Sequence, residues 1–290
     1  MTSDCILTND HLSLSVATIG AEMQFLRTAD GRDLLWHGDA TFWTGRAPVL
    51  FPIVGRAPDD TIAVGAHHAN MPQHGFARRS PFAIETQTPT MCRHVLRADA
   101  ATRAVYPFEF TLRLTHALSG PTVSVTAEVE NLSDQPMPFG FGFHPAFLWP
   151  LPGATDQTHM IKLPATANPK QRPLRPDGLL EPDLVPGPFQ AGTLPLSEAL
   201  FEEGALVFPD GTPSLLRYGS KDGPNLSFTF DNLPDIALWK PKQAPFLCIE
   251  PWHGTAALHG AGPQIADRPN STTLQPGTQE TFGYSVTVAL

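Results

Sequence analysis

The chain has 290 residues, a formal net charge of −9 and 31 prolines, against the roughly 15 prolines that average usage of about 5% would give. Proline lacks a backbone N–H and fixes φ, so this composition excludes a helical bundle or coiled coil and favours a loop-rich β protein. With 28 acidic against 19 basic residues and no basic run, the charge also excludes nucleic acid as a partner, since a phosphate backbone requires clustered Lys and Arg.

Read in chain order, the N-terminal residues carry no basic segment followed by an apolar run, so a secretory signal is not expected. Leu12, Leu14 and Val16 alternate with Ser13 and Ser15. The same period-2 pattern returns at Phe110–Thr115, Val123–Glu130, Leu226–Phe230 and Phe282–Val288. Alternation places one apolar and one polar face on each strand, the pattern of antiparallel sheets packed on one side. Helical periodicity is scarce: Ala40–Ala47 and Leu196–Gly204 are expected to form short helical turns. The longest apolar stretch, Phe139–Leu151, is broken by His144, Pro145 and Pro150. It falls short of the ~20 apolar residues of a membrane span, so no membrane is expected as a partner. Eight prolines fall from Pro164 to Pro195 inclusive, a segment that reads as a long surface excursion or linker. Because β patterning stands on both sides of it, one domain spanning 1–290 is expected. Cys5, Cys92 and Cys248 are odd in number, widely spaced and without C-x-x-C, which points to buried thiols in a reduced, cytoplasmic protein.

P-loop, H-E-x-x-H and G-x-S-x-G motifs are absent, and Gly140-x-Gly142 lacks the third glycine and the βαβ context of a dinucleotide site. His67 and His68 read as surface or loop residues. Four segments look unlike sheet filler: Phe51–Arg56, Met71–Arg78, Phe139–Phe147 and Cys248–Gly254. Each sets one or two polar groups in an apolar, Gly- and Pro-rich context, where an ionisable side chain is costly unless paired or functional. Taken singly, His74 and His144 have ordinary roles as hydrogen-bonded core histidines. Glu250 could equally be a paired structural acid, and Arg56 a salt-bridge partner. Together these residues allow several chemistries. His74, His144 and Glu250 could ligate a metal. A Glu and a His could share base and acid duties on a hydroxylated substrate. Phe143, Phe147 and Trp252 suit stacking on a sugar ring. Spacing does not choose among these.

The stretches Gly45–Arg56, Gln73–Arg78, Phe143–Phe147 and Cys248–Trp252, with Leu35-Trp36 and Tyr106–Phe108, resemble the aldose 1-epimerase (galactose mutarotase-like) superfamily, and within it the LacX-like subgroup. The resemblance spans nearly the whole chain. It implies a large antiparallel β-sandwich, the supersandwich, with few short helices. It implies interconversion of the α and β anomers of an aldose, without metal or cofactor. Carried over, it makes Glu250 the base that takes the C1 hydroxyl proton. His144 becomes the acid for the ring oxygen, a histidine titrating near neutrality. His74 and Arg56 would position the substrate, Phe143 and Trp252 would form an apolar wall, and Arg78 lies within the matched motif. One departure concerns a sugar-binding acid expected before Ala205-Leu206. That position is Gly204, although Glu202 and Glu203 are adjacent. The departure leaves open a non-catalytic carbohydrate-binding or sensing protein of the same fold. A phosphorylated sugar would need further cations, for which Arg46, Arg78 and Arg79 are candidates.

Overall fold

The computed structural model describes residues 4–289. Its largest sheet has nine antiparallel strands, in spatial order Thr193–Pro195, His159–Lys162, Leu216–Ser220, Asn225–Asp231, Gln279–Ala289, Thr122–Asn131, Phe110–Ser119, Met91–Arg97 and Ala83–Gln87. A six-stranded sheet runs Leu206–Phe208, Asp235–Trp239, Phe246–His253, Phe141–Phe143 and Val49–Leu50, with Ala146–Leu148 also pairing to Phe246–His253. A three-stranded sheet, Cys5–Thr8, Leu12–Val16 and Met23–Thr28, completes the main framework.

The two large sheets pack face to face as a β-sandwich, because their alternating apolar faces have no other way to leave water. Phe141 stacks on Phe282 at 5.0 Å between ring centroids. Phe143 meets Tyr284 edge-on at 4.9 Å, and Phe147 meets Phe228 at 5.2 Å. Val123, Val125, Ala127 and Val129 are buried in the same core, as the alternation predicts. All three cysteines are unpaired and buried.

Several sequence expectations are corrected. Ala40–Ala47 forms turns and bends, not a helical turn. Leu196–Gly204 does hold the expected short helical turn, of 3-10 form, at Glu198–Phe201. Among the described residues the one α-helix is Ala100–Val105, too short to show amphipathic periodicity. It is closed at its start by a capping box in which Asp99 and Thr102 bond to each other's backbone N–H. His67 and His68 lie at the surface as expected, half-buried and exposed, though in the strand His67–Asn70, paired with Thr61–Val64, and not in a loop.

The proline-rich segment is no linker. It leaves the nine-stranded sheet at Lys162, returns at Thr193, and between them straps across the open edge of the other sheet. Arg172 donates its N–H to Val207 O at 2.8 Å, and Leu180 donates to Ala257 O at 3.0 Å. The strap thus satisfies an edge strand that would otherwise be left unpaired.

Phe143, 2% exposed, anchors the contact between the sheets. Phe143→Ala is expected to lower the unfolding free energy by about 3–5 kcal/mol, read as a fall in the urea midpoint at unchanged m-value.

Candidate active site

The strand Phe246–His253 sits inside the six-stranded sheet, and a single register governs its pairing on one side. Gly142 faces Trp252 and Ala146 faces Cys248 in the same register. His144, in the break between the two short strands, therefore falls directly opposite Glu250. Alternation turns Phe143 into the core and His144 to the outer face. There His144 Nε2 lies 3.1 Å from Glu250 Oε2. Pro145 breaks the strand without breaking the register: its carbonyl accepts the N–H of Ile249, and His144 donates its own N–H to Pro48 O. A Cβ on Gly142 would lie 2.5 Å from Trp252 Cδ1, so only glycine lets the indole lie flat over this strand.

His74 arrives from the Gln73–Arg78 loop with a left-handed backbone, φ 68°. Its N–H donates to Gly55 O, and Gly55 N–H donates back to His74 Nδ1 at 3.0 Å. That reciprocal pair makes Nδ1 an acceptor and leaves Nε2 as the N–H donor. The rings of His74 and His144 stand edge to face at 5.6 Å. Trp43 stacks on His144 at 4.8 Å, and Trp239 contacts it edge-on at 5.6 Å. These residues, with Gln73, Arg78 and Trp252, line a cavity of about 230 Å³. That is smaller than the roughly 300–1,000 Å³ of drug-sized sites, and of a size for a single sugar ring.

Burial dominates the electrostatics. Glu250 is 2% and His144 6% exposed. Burial pushes the Glu250 carboxyl well above the usual carboxylate range and pulls His144 down to about 3. Burial thus favours the neutral form of both groups, so a proton shared by the pair is drawn toward the carboxyl rather than the imidazole. His144 does not titrate near neutrality, contrary to the sequence expectation, because it is walled by indoles and shielded from water. His74 is also held well below its ordinary value, by burial first and then by the charges of His144, Arg78 and Arg268.

The structure brings Glu250, His144, His74, Arg78 and Trp252 to one cavity and leaves out two expected residues. Arg56 does not reach it: Nε and Nη2 each donate to the Asp60 carboxylate at 2.8 Å. Nη1 reaches Asp177 O at 3.4 Å, so Arg56 ties down the strap from outside. Phe143 belongs to the core because it is one residue out of phase with His144. Of the cations suggested for a phosphate, Arg78 lines the cavity; Arg46 lies against Gly38 and Arg79 lines a separate hollow.

Sequence reasoning missed Trp43, Trp239, Gln73, Leu174 and Leu180 as lining residues. Gln73 stands in the matched Gln73–Arg78 stretch without an assigned role; no motif marks the other four, and the two indoles converge only through the fold. It also missed two buried supports. Arg268 donates to the carbonyls of Val54, Arg56 and Thr255, fixing the segment that holds His74. Asp235 accepts from Gly254 N–H at 2.9 Å and from Asn270 at 2.6 Å, fixing the turn beyond Trp252. As for metal-ligating groups, Cys248 joins His144 and Glu250, with ligand atoms within 4.8 Å of one another. His74 is not in that group. A second such set, Cys5, Cys92 and His94, lies in the core. Burial raises all three thiols above their ordinary value, which disfavours the thiolate a metal requires.

The sandwich agrees with the comparisons to known proteins. The sequence pattern of the aldose 1-epimerase family matches residues 4–169, more than half of the chain, and the chain belongs to that family. It is similar to the plasmid and chromosomal LacX proteins of Lactococcus lactis subsp. lactis, each 28% identical over 295 residues, covering 97% of this chain and 98% of theirs. Among solved structures it is similar to a galactose mutarotase-like protein from Lactobacillus casei ATCC 334, with TM-score 0.92 and 27% identity over 99% of this chain and 100% of that one. A galactose mutarotase related enzyme from Lactobacillus acidophilus gives TM-score 0.92 and 27% identity over 99% and 98%.

Burying Glu250 carries a stability cost with a defined sign. Its folded pKa is raised, so stability is greatest below the unfolded value of about 4.3 and falls as pH rises toward the folded one. Glu250→Gln is therefore expected to raise Tm at pH 7 by about 2 °C or more, with the gap closing as pH falls to 4. Thermal unfolding across pH checks both parts.

Proposed function

We propose that this protein is a cofactor-independent mutarotase acting on a free aldose, with Glu250 and His144 as its base and acid. The supporting observation is the buried Nε2–Oε2 contact of 3.1 Å at the polar end of a sugar-sized cavity. In this reading the pair shares one proton, which moves from Glu250 to His144 when the sugar enters. Glu250 then removes the C1 hydroxyl proton while the bond from C1 to the ring oxygen breaks. His144 gives its proton to that oxygen, and a free aldehyde results. Rotation about the C1–C2 bond presents the other face of the aldehyde, and the same transfers in reverse close the ring. Protons balance at each stage, so no external donor enters.

The open-chain stage leaves Glu250 protonated and His144 neutral, which is the form burial favours. The site is thus matched to the high-energy species rather than to the ring form. His74, donating from Nε2, and Arg78 supply positive character beside the ring oxygen. A free aldose is favoured over a phosphorylated one because, among the described residues, Arg78 is the single Lys or Arg on the cavity wall. The unpaired, buried cysteines suit action in the reducing cytoplasm.

Purified protein is expected to accelerate anomer equilibration of an aldose, followed by polarimetry or NMR exchange. Glu250→Gln and His144→Ala are each expected to lower kcat/KM by about 10²–10⁴ with the fold intact by circular dichroism. Wild-type rates in both variants would overturn the roles, and saturable sugar binding without acceleration would identify a sensing protein instead. A second expectation concerns pH. Because His144 is held at about 3 and Glu250 is raised, kcat/KM should stay flat through pH 6.5. It should fall only at low pH, where His144 gains a second proton, and at high pH, where Glu250 loses the shared one.

A further inference from the structure

The cavity is polar at one end and aliphatic at the other, and sheet register orders the two. Moving outward from His144, the residue opposite is Glu250, then Ala237 opposite Glu250, then Val207 opposite Ala237. Strands lie about 4.8 Å apart, which sets Val207 about 10 Å beyond Glu250. Leu174 and Leu180 of the strap close over that end, beside Ala205. Leu180, Val207, Trp252 and Ala256 form one buried apolar cluster, onto which Leu174 and Ala205 pack.

Among the described residues, no carboxylate, amide or hydroxyl side chain lines this end. Glu202 and Glu203 are exposed, and Gly204 has no side chain to offer. Asp235 is occupied by Asp210 N–H, Gly254 N–H and Asn270. Trp252 Nε1 is covered and lies beside Gly142, on the side of the inner strands. At the other end, beyond His144, stand Gln73, His74 and Arg78.

A sugar can enter in a defined sense. The ring oxygen only accepts hydrogen bonds, so it belongs with the donors of His74 and Arg78. The C1 hydroxyl can donate, so it belongs with Glu250. That orientation carries C2 and C3 past Glu250 onto Ala205, Val207, Leu174 and Leu180. A hydroxyl there loses its water and gains no side-chain partner, whereas a CH₂ group gains contact.

We infer that the substrate is an aldose lacking a hydroxyl on its C2–C3 edge, of the 2-deoxy or 3-deoxy class. The inference rests on the mutarotase reading and on the sense of binding it requires. Its test is the catalysed anomer exchange of 2-deoxyglucose, 3-deoxyglucose, 6-deoxyglucose and glucose by NMR, each corrected for its spontaneous rate. A 2-deoxy or 3-deoxy sugar should exceed glucose in kcat/KM by about tenfold or more, chiefly through KM, and 6-deoxyglucose should show no such gain. Calorimetric binding to Glu250→Gln should follow the same order. Val207→Asp, or Leu174→Asn on the less buried strap should the first not fold, should narrow the difference by accepting the missing hydroxyl. Acceleration of all four sugars without a C2 or C3 preference, or with a 6-deoxy preference, overturns this inference and leaves the mutarotase reading standing. Deoxy-selective binding with no acceleration overturns turnover and supports the ligand class. Absence of both overturns both.

Discussion

Everything in the site depends on two ionisable side chains held within hydrogen-bond reach in a place where neither is comfortably charged. His144 and Glu250 are neighbours because one strand pairing runs through a break in the chain without shifting register. A one-residue slip would turn Glu250 into the core and bring Ile249 or Pro251 opposite His144. Such an error is forbidden by the face beneath: Phe141, Phe143 and Phe147 must all meet the aromatic side chains of the nine-stranded sheet. The apolar core on one face therefore fixes the chemistry on the other. It also supplies the stability that the burial of Glu250 consumes.

Rigidity around the pair comes from backbone carbonyls that proline leaves free to accept. Pro48, Pro52, Pro72 and Pro145 each accept an N–H, from His144, Gly140, Gly75 and Ile249 in turn. Such positions need no donor from the proline itself, so its usual handicap in sheets does not apply. The proline excess thus divides into a set that braces the cavity and a set in the strap. The strap is more than surface decoration, since Leu174 and Leu180 complete the aliphatic wall and Arg56 fastens it through Asp177.

Arg56 shows how a residue can sit in a site motif and serve the site indirectly. Its stem packs against Gly178 of the strap, and its guanidinium turns outward to Asp60. The polar end of the cavity is lined by His74, Gln73 and Arg78, whose loop is cross-linked to Gly55 and so to the buried Arg268. The cavity has hydrogen-bond donors at one end and hydrocarbon at the other.

Much of the fold was legible in the sequence, because a period of two is a local property: Leu112, Leu114, Val123 and Val125 announce a buried face by spacing alone. The polar members of the site were legible too, because His74, His144 and Glu250 stand out chemically against Gly, Pro and Phe. What the sequence could not determine was direction and distance. Phe143 and His144 are adjacent letters, yet alternation sends one to the core and the other to the cavity. Trp43 and Trp239 are nearly two hundred residues apart and meet on one imidazole only through sheet pairing. Burial, which raises the proton affinity of Glu250 and lowers that of His144, is a property of surrounding atoms drawn from many strands. Residue types and their periodicity belong to the chain; proximity, solvent exclusion and the resulting proton affinities belong to the tertiary structure, because they arise from contacts distant in sequence.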